Sequence, residues 1–165
     1  MPLDVDSFSG KRVSVIGAGI SGAGLARLAH RLGAQVFVSD EKKLQDQSLV
    51  ALFQSHGIEW EDGGHTPRLF EADYILVGSG ISPNAKPVTE SNRRNIPVIG
   101  ELDFISPFLR SRIIGVTGSN GKSTTTALTG YLLQKAGFSA EVAGNIGESL
   151  ADFAFVQRDF PVLDF

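Results

Sequence analysis

No cysteine occurs among the 165 residues. Disulfides and thiolate metal sites are therefore excluded, and the composition fits a reducing cytoplasm. Histidine is scarce too. His30, His56 and His65 form no H-x-x-x-H pair and no cluster with acids, so a zinc site is not expected and all three read as structural or surface residues. No basic run appears and the formal net charge is -3, which removes nucleic acid as an implied partner. No apolar stretch is long enough to span a bilayer, so no membrane insertion is expected. Residues 1–10 are acidic and poor in apolar side chains, unlike a signal peptide. Neither a Ser-His-Asp nor a Cys-His arrangement can be argued, and no repeat of fixed period is visible.

Glycine is plentiful, at 19 residues, and it gathers at two places where an apolar run meets a helical pattern. The first is Gly17-Ala18-Gly19-Ile20-Ser21-Gly22, a G-x-G-x-x-G. Residues 11–16 precede it as a strand; Leu25, Leu28, Ala29 and Leu32 follow at helical spacing, and Gly33 ends the helix. Residues 35–39 form a second strand closed by Asp40. This is a βαβ unit whose turn lets a diphosphate approach the backbone at a helix N-terminus. Asp40 could accept hydrogen bonds from a ribose or a base. The plainer reading is a tight turn whose glycines serve only helix–strand packing. The physics selects a diphosphate, not a nicotinamide.

The chain continues in the same alternation. Residues 44–56 read as a helix, 58–60 as a short strand, 61–65 as a polar loop and 74–77 as a buried parallel strand. The loop Gly78-Ser79-Gly80-Ile81-Ser82-Pro83 then becomes a second wall for the first glycine turn's ligand, because loops at strand carboxyl ends line the crevice of open α/β sheets. A helix over 87–95, a strand over 96–99 and a short helix over 101–109 follow. Glu59, Glu61 and Asp62 read as a solvated edge and Arg93-Arg94 as an exposed helix face, while Lys42 stands where it could flank the ligand.

The second glycine cluster is Gly115-Val116-Thr117-Gly118-Ser119-Asn120-Gly121-Lys122-Ser123. A strand over 113–116 leads in and a helix over 124–136 leads out. Backbone N–H groups converge there, Lys122 adds a full charge, and Ser123 can ligate Mg²⁺. A nucleoside triphosphate is the natural occupant. The usual G-x-x-x-x-G-K-[ST] spacing would require glycine where Val116 stands. Residues 139–143 read as a strand, 148–155 as a helix and 161–165 as a strand just starting. Two α/β units are expected, 1–110 as a Rossmann-like parallel-sheet domain and 111–165 as the beginning of a P-loop ATPase-type domain, with a boundary near 106–111 and the chain cut inside its second domain.

The run G-V-T-G-S-N-G-K-S-T-T-T at 115–126 resembles the ATP loop of the Mur ligase family, which carries T-G-[ST]-N-G-K in place of the standard spacing. Ala143-Gly144-Asn145-Ile146-Gly147 resembles that family's G-N-I-G turn. The opening V-I-G-A-G-I-S-G, the G-I-S-P at 80–83 and Gly100-Glu101-Leu102-Asp103-Phe104 look most like its D-glutamate-adding members. The resemblance implies a cytoplasmic, monomeric, ATP- and Mg²⁺-dependent ligase of peptidoglycan precursor synthesis. Its substrates would be UDP-N-acetylmuramoyl-L-alanine and D-glutamate, joined through an acyl phosphate. It also implies site residues. Gly118, Ser119, Asn120, Gly121, Lys122, Ser123 and Thr124 would bind ATP, with Lys122 acting on the phosphates and Ser123 on Mg²⁺. Ile20, Ser21 and Asp40 would hold the uridine diphosphate, and Asn145 would contact the UDP-sugar. The family's S-P-G loop is altered here to Gly78-Ser79-Gly80, so Ser79 would replace a serine hydroxyl at 78. The further glutamate, histidine and carbamylated lysine that the family needs do not lie within 1–165, so the chain alone is expected not to turn over. Two alternatives stand beside this reading. One is an NAD(P)-binding oxidoreductase or regulatory dinucleotide module built on residues 17–22 and Asp40. The other is a P-loop nucleotide switch.

Overall fold

The computed structural model describes residues 8–110, 112–144, 148–154 and 160–164, the last segment by its backbone. The chain divides into two units, residues 1–107 and 108–165. In the first, strands β1 (Arg12–Ile16), β2 (Gln35–Asp40), β3 (Glu59–Asp62), β4 (Tyr74–Val77) and β5 (Val98–Gly100) form one parallel sheet in the order β3-β2-β1-β4-β5. The helices between them are α1 (Ile20–Arg31), α2 (Gln47–Ser55), α3 (Lys86–Arg93) and α4 (Glu101–Ile105). The order reverses between β1 and β4, the switch point where such sheets open a crevice beyond the strand carboxyl ends. The α/β, Rossmann-like expectation holds.

β1 and β2 are buried on both faces, as a central parallel strand demands: Val13, Val15 and Val38 on one face and Ser14, Ile16 and Ser39 on the other are almost wholly out of solvent. Helix α1 lies close to this sheet because its inner face is made of small residues, Gly22, Ala23, Ala26 and Ala29, punctuated by Leu25 and Leu28. Phe8, in the stretch the sequence presents as acidic and sparse, is fully buried. Its ring packs edge-on to Phe104 at 5.0 Å and tilted to Tyr74 at 5.2 Å.

Several boundaries differ from the sequence reading for local reasons. α2 begins at Gln47 rather than 44, because the Asp46 carboxylate accepts from the Ser48 backbone N–H at 2.9 Å and caps the helix there. β3 runs on through Glu61 and Asp62, which the sequence places in a loop, because both stay in register with Ser39 and Asp40. Pro97 delays β5 to Val98, and α4 stops at Ile105, where the chain tightens into a 3-10 turn over Ser106–Phe108.

In the second unit, β6 (Ile114–Val116), β7 (Ala140–Gly144) and β8 (Phe160–Asp164) form a parallel sheet in the order β6-β8-β7, so the last strand in sequence is the central one. Helix α5 (Lys122–Lys135) packs on it. The helix expected after residue 148 is a single 3-10 turn, Leu150–Phe153, started by the Ser149 hydroxyl.

Candidate functional site

In the first unit a cleft of about 660 Å³ opens at the carboxyl end of the sheet. It collects residues from the ends of four strands: Ile16, Gly17 and Gly19 at the end of β1, Asp40, Glu41 and Lys42 at the end of β2, His65 after β3, and Gly80, Ile81, Asn84, Ala85, Lys86 and Pro87 after β4. The loop after β4 thus forms a wall of the crevice, as its position beyond a strand end implies.

The three glycines of the first turn divide their tasks. Gly17 has φ +90 and donates its N–H to Ser39 O at 2.8 Å. A Cβ on Gly22 would lie 1.9 Å from Gly17 O, so α1 can start here only without one. Gly19 has neither constraint: its φ is -66 and a Cβ there would meet nothing within 4 Å. Packing explains Gly22 and backbone conformation explains Gly17, while Gly19 leaves open space beside the helix end. That helix end is electropositive. α1 has no side-chain cap and no acid in its first turn. α3, whose first residues line the same cleft, is also uncapped and free of acids there. Lys42 and Lys86 add two ammonium groups to the lining.

Asp40 sits in the cleft, but its carboxylate is already engaged. Oδ2 accepts from Ala18 N at 2.7 Å and Oδ1 from Lys42 N at 2.8 Å, tying the glycine turn to the turn after β2. Ile20 and Ser21 open α1 next to Gly19 and fall outside the cleft lining, as does Ser79, whose N–H donates to Glu101 Oε2 at 3.2 Å. Gly78 is explained by Ser21: a Cβ at 78 would lie 2.8 Å from the Ser21 Cβ, so a larger residue at 78 would collide with that serine. Lys43 is turned away from the cleft to an ion pair with Asp62 at 2.6 Å.

The sequence reading passed over His65, which lines the cleft, and Glu61, which supports it. The hydroxyl of fully buried Ser39 lies 2.6 Å from Glu61 Oε1 and 2.7 Å from His65 Nδ1. Glu61 also accepts from Thr66 N at 2.9 Å and Thr66 Oγ1 at 2.6 Å. Partial burial works against its charge, yet the hydrogen bonds from Ser39 and Thr66 outweigh that and hold its carboxyl below the usual range. In sequence, the pairing of residue 39 with residue 61 is hidden, because it depends on which strands are neighbours. His30 and His56, by contrast, face each other edge-on at 6.0 Å where α1 and α2 end, away from the cleft.

In the second unit the loop between β6 and α5 has the features a phosphate cradle requires. Gly121 caps α5 in the left-handed conformation at φ +78, Gly118 has φ +154, and the helix start carries no side-chain cap and no acid. Lys122 and Ser123 are the first two helical residues, Thr124 the third, and Ser119 and Asn120 form the exposed turn before them. The Lys122 ammonium donates to Gly118 O at 2.8 Å, which folds its positive charge across the loop. These groups fit a nucleoside triphosphate: backbone donors, a helix end and a parked cation share one loop. Asn145 lies outside the described residues.

The family MurD N-terminal domain matches residues 12–87, the part of the chain that holds the glycine turn, Asp40, His65 and the first residues after β4. A UDP-N-acetylmuramoylalanine--D-glutamate ligase of Pelodictyon phaeoclathratiforme is 42% identical over 144 residues, 85% of this chain and 31% of the relative. The enzyme of that name from Bacteroides fragilis is 39% identical over 156 residues, 93% of this chain and 35% of the relative. The chain therefore spans about a third of the length of these relatives. Among solved structures, a pseudomurein peptide ligase type C from Methanothermus fervidus is similar with TM-score 0.58 and 31% identity, over 93% of this chain and 32% of that one. A UDP-N-acetylmuramate:L-alanyl-gamma-D-glutamyl-meso-diaminopimelate ligase from Neisseria meningitides shares the fold, with TM-score 0.61 at 23% identity over 94% of this chain and 52% of that one. Residues 12–87 match a domain of the Mur ligase family, and the chain is similar to Mur ligases over most of its length. Within that family it is similar to the D-glutamate ligases.

Proposed function

We propose that this chain is the part of a D-glutamate-adding Mur ligase that holds the uridine diphosphate of UDP-N-acetylmuramoyl-L-alanine and begins the ATP site. The observation that carries the reading is the cleft of the first unit, where two uncapped helix ends and two lysines converge beside Gly19, whose open face has no structural cause. The lysines stand against the carboxylates of Asp40 and Glu41 in the same lining, so a diphosphate is favoured there by the two helix ends together with the lysine side chains rather than by net charge. Asp40, tied by Ala18 N and Lys42 N, keeps acceptor capacity at the cleft, so the choice between a uridine diphosphate and a dinucleotide falls to the binding experiment.

In the complete reaction the substrate carboxylate attacks the γ-phosphate of ATP, forming an acyl phosphate and releasing ADP. The amine of D-glutamate then attacks the acyl carbon, loses a proton, and phosphate leaves as the amide forms. The role of this chain is positioning and charge neutralisation. Lys122, already lying across the loop, would move onto the β/γ-phosphates, and the backbone N–H groups around Gly118, Ser119, Asn120 and Gly121 would hold them. Mg²⁺ would supply a further positive charge there, with Ser123 and its neighbour Thr124 as the hydroxyls nearest the helix start. The experiment is a parallel titration of the 165-residue chain with UDP-N-acetylmuramoyl-L-alanine, NADH and ATP. Binding of the UDP-sugar without NADH binding is the expected outcome. NADH binding without UDP-sugar binding would overturn the reading in favour of a dinucleotide module.

A further inference from the structure

The hydrogen-bond donors and acceptors around Ser39 leave one proton arrangement. Glu61 is ionised at neutral pH, since its carboxyl is held below the usual range, so it can only accept. The single proton of the Ser39 hydroxyl must then go to Glu61 Oε1 at 2.6 Å. Ser39 Oγ has no proton left for His65, so at 2.7 Å it accepts from the Nδ1–H of that ring. Whenever the imidazole is neutral, its one proton is therefore on Nδ1, and Nε2 carries a bare lone pair. Nδ1 is anchored to a fully buried hydroxyl, so the cleft meets the other edge of the ring. Among the described residues Nε2 has no partner.

We propose that His65 is a specificity-determining residue of the cleft. Its Nε2 accepts a hydrogen bond from the nucleoside part of the ligand, and Ser39 and Glu61 act as positioning residues that fix the tautomer. The location fits. His65 shares the lining with Asp40, Glu41 and Lys42 after β2, on the side of the crevice where a nucleotide whose diphosphate rests on the α1 turn places its ribose and base. Asp40 gives one lone pair of each oxygen to a backbone N–H, and His65 adds a second, separately positioned acceptor to the same part of the lining. The donor it reads is a ribose hydroxyl or the imide N–H of a uracil; both present an N–H or O–H to a fixed lone pair. The inference rests on the uridine-diphosphate reading above.

The test uses the 165-residue chain, with UDP and inorganic pyrophosphate as probes. His65→Leu should weaken UDP about fivefold, the worth of one neutral hydrogen bond, and leave pyrophosphate unchanged. Deoxy-UDP and N3-methyl-UDP identify the donor: the analogue that lacks it should bind wild type and His65→Leu equally. Undiminished UDP binding by His65→Leu, or equal loss of UDP and pyrophosphate, would overturn the proposal. Failure of wild type to bind UDP at all would overturn the underlying reading together with it. The wild-type protein gives a check independent of any variant. At about pH 8.5, well above the ordinary imidazole range, the ¹⁵N spectrum should show His65 protonated on Nδ1, with Nε2 shifting when UDP is added. Protonation on Nε2, or no shift of Nε2, would contradict it.

Discussion

Gly19 and Gly22 stand three residues apart in one turn and face opposite demands. Gly22→Ala would set a methyl 1.9 Å from a backbone oxygen that cannot move without undoing the turn. A loss of at least about 2 kcal/mol is expected, read as a lower urea midpoint. Gly19→Ala adds its methyl to open space at an ordinary φ of -66; the gain from a stiffer unfolded chain and the loss of a better N-cap oppose each other, so stability should change little while UDP binding falls. The motif alone does not distinguish the two, since all three glycines look alike in G-x-G-x-x-G. The place of Asp40 at the carboxyl end of β2 was legible, but its two backbone partners were not. Residue-scale electrostatics also make a small, solvent-screened contribution that acid removes. Glu90 is clasped by Arg93 and Arg94, and their hydrogen bonds lower its carboxyl from 4.5 to about 2. A depressed folded value contributes stability above the unfolded value that is lost as pH falls toward the folded one. The contribution should therefore be whole above 4.5 and fade toward about 2, with the Glu90 carboxyl resonance titrating near 2. A midpoint at the ordinary glutamate value would contradict that pairing.

At the scale of elements, the alternation of apolar runs and helical patterns was legible because each run is short and each helix is stopped by glycine. The exact starts were not. α2 waits for Asp46, and Asp46→Ala should lower the thermal or urea midpoint by leaving its first N–H groups uncapped. α5 depends on a close approach: a Cβ on Gly130 would lie 2.6 Å from Val142 Cγ2 on β7. Gly130→Ala gains helix propensity of about 1 kcal/mol but meets that methyl, and the net effect should be destabilising. Adding Val142→Ala should return part of the loss, a positive coupling in a double-mutant cycle that a purely propensity-based account does not yield. The outer side of α5 is open, with Leu128, Tyr131 and Leu132 each more than half exposed, so its pattern in sequence is that of a helix without a clean apolar stripe. The Ser39–Glu61–His65 linkage belongs to this scale as well. It exists because β2 and β3 are neighbours in register, a fact of topology that local spacing does not carry.

At the scale of the whole molecule, the proposed uridine-diphosphate cleft lies in the first unit. All residues lining the cleft fall within 1–107. A chain of residues 1–107 should therefore bind UDP as tightly as the 165-residue chain, whereas ATP binding should require residues 108–165. The two strand–glycine turn–helix units were legible because each needs only a few adjacent residues. The cleft itself was only half legible, since Asn84, Lys86 and His65 reach it from segments without a motif. The most direct test of the central claim is calorimetric titration of the 165-residue chain and its Gly19→Ala variant with UDP. The account predicts one UDP per chain, with binding strongly reduced in the variant at an unchanged melting temperature. No heat of UDP binding in the wild type, or equal binding in both, would contradict it.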